Sequence, residues 1–341
     1  MTQSGISIIV CCYNSALRLP DTLAHLIRQK FDETILWEIL VINNNSTDNT
    51  EKVAFDILSN CPSITFRILA ENQPGLSAAR NRGIKESSYD IIVFCDDDNW
   101  LDPSFVRLSH KIMVEHPAIG VLGGIAHPVY EITPPEWFIQ YENRLALNAQ
   151  SEYSGDITNP KGNVYGAGMV LRKSAITSLF DKGIDFLNTD RKGKSLSSGG
   201  DTELCYLLVL QGWKIWYEEQ LILKHYIPKE RVTWAYLIKL NKGGASSVVL
   251  LDIYKTVIEK GFIPPFYLYR KSFATLLAIL HPYMVKRYME QRNIEGNSFK
   301  LQYELLGQMT SKIFSLIFNI FERKKIKKHF KRILHERDSK N

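Results

Sequence analysis

The chain has 341 residues, is 45% hydrophobic and 23% charged, and carries 16 Tyr and 16 Phe, which excludes a disordered chain. That length accommodates one large domain with an extension, or two domains. A net charge of +6 with a pI near 8.9 suits an anionic ligand or a membrane surface and is too weak to imply nucleic acid.

The sequence runs from a polar tetrapeptide into the apolar run Ile6 to Val10, without a charged leader or a small-residue cleavage site, so no secretion signal is expected. A helical stretch follows from Pro20, a second apolar run spans Glu38 to Ile42, a helix opens after Ser46-Thr47-Asp48, and a third run spans Thr65 to Leu69. A helix over Leu76 to Glu86 leads into a fourth run, Asp90 to Phe94. This alternation predicts βαβ units in the α/β class, and continuously apolar strands predict a sheet covered on both faces. Ligands in such sheets sit beyond the carboxyl ends of the strands. The loops there read Cys12-Tyr13-Asn14, Asn43-Asn44-Asn45-Ser46, Glu71-Asn72-Gln73-Pro74-Gly75 and Asp96-Asp97-Asp98-Asn99, all polar.

From Gly120 to Tyr226 the elements shorten and the loops lengthen, notably Asn188 to Asp201, whose length and Gly/Ser content point to function. Past Arg231 the period is helical. A boundary near residue 230 therefore separates an α/β domain over 1–230 from a helical, aromatic and basic extension over 231–341. The longest apolar stretches, Phe273 to Leu280 and Ile313 to Phe321, fall well short of the roughly 18 to 20 residues of a spanning helix. Cys11, Cys12, Cys61, Cys95 and Cys205 form no C-x-x-C pair and are expected as buried thiols of a reducing, cytoplasmic compartment, with no zinc site.

Three carboxylates, Asp96, Asp97 and Asp98, follow the fourth apolar run. Crowded in this way they raise one another's pKa unless a cation or hydrogen-bond donors compensate, and Mn²⁺ or Mg²⁺ shared with substrate phosphates is the natural partner. A solvated cluster ahead of the helix at Asp102-Pro103 is the structural alternative. Further on, Gly199-Gly200-Asp201-Thr202-Glu203 delivers two carboxylates to the start of an apolar helix. Asp201 suits a general base reaching an acceptor hydroxyl when the preceding loop closes; plain helix capping is the alternative. Arg80 and Arg82 suit a base or phosphate, or solvent. His225, after Leu221-Ile222-Leu223, suits a metal shell or a structural hydrogen bond.

Taken together, the segments from about Ile6 to His225 resemble the family 2 glycosyltransferases with the GT-A fold. Tyr13-Asn14 is similar to that family's first nucleotide-binding loop, Asn43 to Asp48 matches its D-D-x-S or D-N-N-S segment, and Gly75 to Asn81 matches its G-x-x-x-A-R-N stretch. The resemblance implies a mixed, mainly parallel central sheet flanked by helices, with the C-terminal helices as an extension. It implies Asp98 as direct metal ligand with Asp96 and His225 near the ion, and Asp96 and Asp97 near the ribose and donor sugar. Cys11, Tyr13, Asn14, Asn44 and Arg80 would contact the nucleotide, and Gly166-Ala167-Gly168 with Arg172 would line the donor-sugar pocket. Asp201 stands where the family keeps its catalytic base, with Glu203, Gly199 and Gly200 on the acceptor side. Asn43 and Asn44 depart from aspartates that include an acceptor for the uracil imide; a carbonyl keeps the acceptor and loses charge assistance. Uridine is favoured, with guanine and thymine open.

The resemblance further implies inverting transfer from a nucleotide-diphosphate sugar, UDP-linked in the favoured case, to a glycan or lipid-linked glycan in surface polysaccharide or lipopolysaccharide assembly, with Mn²⁺ or Mg²⁺ as cofactor and no nucleic-acid partner. A sugar nucleotidyltransferase would need a glycine- and basic-rich triphosphate loop, which Cys11 to Leu19 lacks. A nucleotide-sugar-binding module without turnover is opposed by Asp201 and the intact triplet. In the extension, Lys312 to Leu334 sets Ile313, Phe314, Leu316, Ile317, Ile320 and Phe321 ahead of seven Lys and Arg residues between Arg323 and Arg332, and Phe266 to Tyr288 is a second aromatic and basic segment. Both fit either a helix in an anionic membrane interface, peripheral on the inner face of the plasma membrane, or a subdomain packed on the catalytic domain.

Overall fold

A computed structural model describes residues 5–31, 35–188, 196 and 198–338. The first half builds β1 (Gly5–Cys12), α1 (Leu19–Ile27), β2 (Leu36–Asn43), α2 (Thr50–Leu58), β3 (Thr65–Ala70), α3 (Leu76–Glu86) and β4 (Ile91–Asp96). These strands lie in the order β3-β2-β1-β4, all parallel, and the apolar residues of β1 are buried because helices cover both faces. Cys11 pairs with Ile42 and with Asp96, so β1, β2 and β4 end level on one edge.

The second half contributes β5 (Asn99–Leu101), α4 (Phe105–Glu115), β6 (Ile119–Tyr130), a 3₁₀ helix (Glu136–Leu145), β7 (Gly155–Asp156), β8 (Val170–Arg172), α5 (Lys173–Asp181), α6 (Gly200–Leu210) and β9 (Lys214–Ile227). The sheet continues β4-β8-β6-β9-β5, with β8 antiparallel to both neighbours and β6 parallel to β9. β5 runs antiparallel to β9 with Asn99 opposite His225, which brings His225 beside the aspartate triplet.

A 3₁₀ turn (Lys229–Val232) leads into α7 (Trp234–Lys260), α8 (Tyr267–Leu280), α9 (Pro282–Gln291), α10 (Ser298–Phe318) and α11 (Ile320–Asp338). The Thr233 hydroxyl caps α7 by accepting from Tyr236 N at 3.3 Å. Val249, Ile253 and Val257 of α7 share one core with Leu204 and Leu208 of α6 and with Ile313, Leu316, Ile326, Phe330 and Ile333 of α10 and α11. The extension therefore packs on the catalytic sheet. The expected single interface helix over Lys312 to Leu334 is instead two helices broken at Asn319. Its apolar residues at i, i+4 and i+7 (Ile326, Phe330, Ile333) face inward, leaving only Phe318, Ile320 and Phe321 exposed at the break. Among the described residues, no helix is long and apolar enough to cross a membrane.

Candidate active site

The level ends of β1, β2 and β4 open into a cleft of about 720 Å³, closed on its far side by the 3₁₀ helix, the start of α6, and α7. Cys11 and Tyr13 line it from β1 and the following loop, Asp96 to Asp98 from the end of β4, and Asp201 from α6. Burial pushes the Cys11 thiol up to about 12, so it lines the cleft as a neutral group.

Each carboxylate of the triplet has its own compensating partner. Asp97 accepts from Ser15 Oγ and from Arg18 Nη2 at 2.7 Å, while Thr22 Oγ1 donates to its backbone carbonyl at 2.9 Å. Burial nonetheless raises its pKa, helped by Asp98 and opposed by Arg18. Asp96 is pushed up to about 6 by burial, with Arg80 opposing and the neighbouring aspartates adding. Asp98 goes the other way. Burial works against its ionisation, but His225 and Arg231 outweigh it and hold the carboxylate well below its ordinary range. Arg231 Nη1 donates to Asp98 Oδ2 at 3.0 Å, His225 Nε2 lies 3.5 Å from Oδ1, and Asn99 Nδ2 donates to Oδ1 at 3.1 Å.

Asp201 sits in the first turn of α6, after Gly199 at φ 113°, where a β-carbon would also strike Ser247 Cβ at 2.8 Å. Arg80 Nη1 donates to Asp201 Oδ1, and Arg80 Nη2 stands 3.9 Å from Asp96 Oδ1. The guanidinium lies over the Phe94 ring at 4.9 Å, a cation–π contact. Gly166 packs directly on the Asp201 carboxylate, leaving no room for a side chain.

The structure thus gathers Cys11, Tyr13, Asn44, Arg80, Asp96, Asp97, Asp98, Gly166, Gly199, Asp201 and His225 around one cleft. Gly200 begins α6. Four expected roles change. Asn14, at φ 50°, spends its Oδ1 accepting from Thr47 N at 2.8 Å and ties two loops together outside the cleft lining. Asn44 clamps the loop before α3: Nδ2 donates to Glu71 O at 3.0 Å and Gln73 O at 2.7 Å, and Oδ1 accepts from Gly75 N at 2.8 Å. An aspartate could not make the two donations, so asparagine here serves the loop as well as the cleft lining.

Arg172 lies opposite Ile91, at the far end of β4 from Asp96, and donates to Ile119 O at 3.0 Å and Met113 O at 2.7 Å, away from the donor pocket. Glu203 is fully buried, accepts from Leu187 N at 2.7 Å, Asn188 N at 2.8 Å and Tyr254 Oη at 2.7 Å, and faces no acceptor. The expected closing loop, Asn188 to Gly200, lies largely outside the described residues. Conversely, Arg18 and Arg231 went unnoticed in sequence because basic residues beside Leu17 or within Lys229-Glu230-Arg231 read as solvated; both line the cleft.

The donors at Asp98 and His225 fit a divalent ion, since a hard carboxylate oxygen, Asp98 Oδ1, and an imidazole nitrogen, His225 Nε2, converge to 3.5 Å. Among those residues no group of three His, Cys, Asp or Glu donors is placed to hold a metal. Further ligands would come from diphosphate oxygens and water, the usual arrangement for Mg²⁺-type sites.

Comparison with known proteins agrees with this geometry. The sequence profile of Glycosyl transferase family 2 matches residues 7–180. The poly-beta-1,6-N-acetyl-D-glucosamine synthase of Staphylococcus aureus (strain COL) is 28% identical over 297 residues, 84% of this chain and 64% of the relative, so the chain spans less than two thirds of that protein's length. The Staphylococcus epidermidis synthase is 25% identical over 88% of this chain and 68% of its own length. Among solved structures, the mannosyltransferase PcManGT from Pyrobaculum calidifontis in complex with GDP-Man and Mn²⁺ superposes with a TM-score of 0.55 at 16% identity, over 98% of this chain and 86% of that one. S. aureus TarS 1-349 in complex with UDP gives 0.50 at 15% identity, over 92% and 91%. The fold is that of the GT-A glycosyltransferases, and the chain belongs to glycosyl transferase family 2.

Proposed function

We propose that this protein is an inverting glycosyltransferase that moves a sugar from a nucleoside-diphosphate donor, UDP-linked in the favoured case, onto a hydroxyl of a glycan or lipid-linked glycan in surface polysaccharide assembly. The observation that carries this reading is the placement of Asp201 and the Asp96–Asp98 cluster in one cleft, joined through Arg80. The names of the S. aureus relatives and the nucleotide ligands of the two structural neighbours favour the same substrate classes.

In this mechanism Asp201 takes the proton of the acceptor hydroxyl as its oxygen attacks the anomeric carbon, while the bond from that carbon to the diphosphate oxygen breaks on the opposite face. Arg80 keeps the Asp201 carboxylate aimed by holding one oxygen, and Gly166 lets it sit against the backbone. Arg18 and Arg231 give the diphosphate side of the cleft positive charge that is already in place before the reaction. Asp98 and His225 would hold Mn²⁺ or Mg²⁺, which would supply Lewis-acid chemistry toward the departing diphosphate. An acceptor carried on lipid also makes the protein peripheral at the inner face of the plasma membrane.

The test is release of UDP, GDP or dTDP from the matching sugar donors, with and without acceptor, by wild type and Asp201→Asn. Acceptor-stimulated release of one nucleoside diphosphate, reduced at least about 100-fold in the variant, is expected. Equal release by both proteins would remove Asp201 from the base role.

A further inference from the structure

Away from the cleft, exposed large apolar side chains concentrate on α8 and α9. From its N-cap onward, α8 presents Phe266, Tyr269, Phe273, Leu277 and Leu280, each 51% to 75% exposed. Their spacing of three, four, four and three residues puts all five on one helix face, a stripe about 21 Å long. On α9, Tyr283, Val285 and Met289 are exposed as well.

The opposite side of α8 is held firmly. Tyr267 Oη donates to Asp252 of α7, Lys271 Nζ pairs with the same carboxylate at 2.8 Å, Tyr303 Oη of α10 donates to Ile279 O at 3.0 Å, and Ser272 and Thr275 are buried. The stripe is therefore a fixed face of a docked helix. A continuous apolar face of this length on a protein surface marks an interaction site.

Charge identifies the occupant. Between Gly261 and Met289 there is no Asp or Glu, whereas Arg270, Lys271, Lys286 and Arg287 all fall there, with Arg270 and Lys286 exposed. Lys271 is answered by Asp252 and exposed Lys286 has Glu290 4.0 Å away, so Arg270 and Arg287 leave the face net positive, which disfavours a second copy docking through it. Anionic lipid supplies the missing charge, and aromatic residues at both ends, Phe266 and Tyr283, suit the boundary between headgroups and acyl chains.

We propose that the α8–α9 face lies on an anionic bilayer, with the Phe266-to-Leu280 stripe at the acyl boundary and Arg270 and Lys286 among the headgroup phosphates. This deepens the peripheral-membrane part of the proposed function and rests on it; it assigns the contact to α8–α9 and not to the basic α11. Asp252, which anchors α8, follows Leu251 of the cleft wall, so docking holds the cleft one helix layer from the lipid. A lipid-linked acceptor then reaches Asp201 without leaving the membrane surface.

Flotation of the full chain with phosphatidylcholine vesicles, with or without phosphatidylglycerol, tests this. Wild type should float only with phosphatidylglycerol. Phe273→Glu with Leu277→Glu, and separately Arg270→Glu with Lys286→Glu, should each weaken partition at least about tenfold. Phe318→Ser with Phe321→Ser should float like wild type, and unchanged melting curves would show that the exposed substitutions leave the fold intact. The proposal is overturned by a wild type that floats with neither vesicle, by stripe variants that float normally, or by a dimer in sedimentation that Phe273→Glu dissolves. Diphosphate release measured without vesicles reads catalysis alone: its presence without flotation sinks the docking face only, and flotation without release sinks the transferase reading only.

Discussion

One guanidinium, that of Arg80, joins Asp201 on α6 to Asp96 at the end of β4: Nη1 donates to Asp201 Oδ1 and Nη2 stands 3.9 Å from Asp96 Oδ1. A lysine ammonium is a single point charge and cannot span both carboxylates in one plane. Arg80→Lys should therefore lower turnover on the order of 100-fold, as expected when a reacting group drifts by about an ångström, while donor affinity changes less than about tenfold. Separate measurements of kcat and of donor Kd check this; normal turnover in the variant would show that the bridge is not needed.

Gly166 offers an independent way to move the same carboxylate. A β-carbon there would overlap the Asp201 carboxylate, so Gly166→Ala must push it off its line. Turnover should fall at least about tenfold, with the nucleotide still protecting the protein in a thermal melt. A variant that turns over normally would mean that Asp201 has room to spare.

What could be read from sequence follows from what each pattern reports. The strands β1, β2 and β4 were legible because apolar runs report burial on both faces, whereas β3, the edge strand, has no buried residue; α3 spans Leu76–Glu86 as expected. Asp98, Arg80, Asp201 and Gly166, each singled out by a motif, line one cleft. Arg172 misleads because motif order carries no strand direction: β8 runs antiparallel to β4, which puts Arg172 at the wrong edge. Glu203 misleads because two residues along a helix turn about 200°, so it cannot share the face of Asp201. Asn44 is a loop clamp whose residue type reads equally as a ligand. Arg231 meets Asp98 across 133 residues, a pairing with no local signal.

That pairing predicts two separable effects on donor binding. Asp98→Asn should abolish any enhancement of UDP binding by Mn²⁺, because the carboxylate is the hard ligand beside His225. Arg231→Gln should weaken UDP binding with or without Mn²⁺ by about tenfold, the usual scale for losing one charge-assisted hydrogen bond of about 1.5 kcal/mol or more. Calorimetric titration of both variants decides. Persistence of the full Mn²⁺ effect in Asp98→Asn would place the ion elsewhere.

The last prediction concerns stability and the joint between α6, α7 and α11. Tyr254 Oη donates to Glu203 Oε1 at 2.7 Å and lies 2.5 Å from His329 Nε2, so the imidazole must be the donor in that second contact. Burial pushes His329 down to about 4 from an ordinary 6.5, with Lys325 and Arg332 adding and Asp185 opposing. Between those two values the unfolded chain binds a proton that the folded chain refuses. This contribution is therefore fully present above pH 6.5 and is lost as pH falls toward 4, by up to about 3 kcal/mol at roughly 1.4 kcal/mol per unit. Glu203, pushed up by burial, acts in the opposite direction, since its folded form holds a proton that the unfolded form has released. The two are separated by variants: His329→Gln should flatten the decline in denaturation midpoint between pH 6.5 and 4, whereas Glu203→Gln should steepen it. Urea titrations across that range supply the measurement. A His329→Gln slope equal to that of wild type would mean that the ring is hydrated enough to charge in place, and that α11 is held by Ile326, Phe330 and Ile333 without any stake in the Tyr254–Glu203 link.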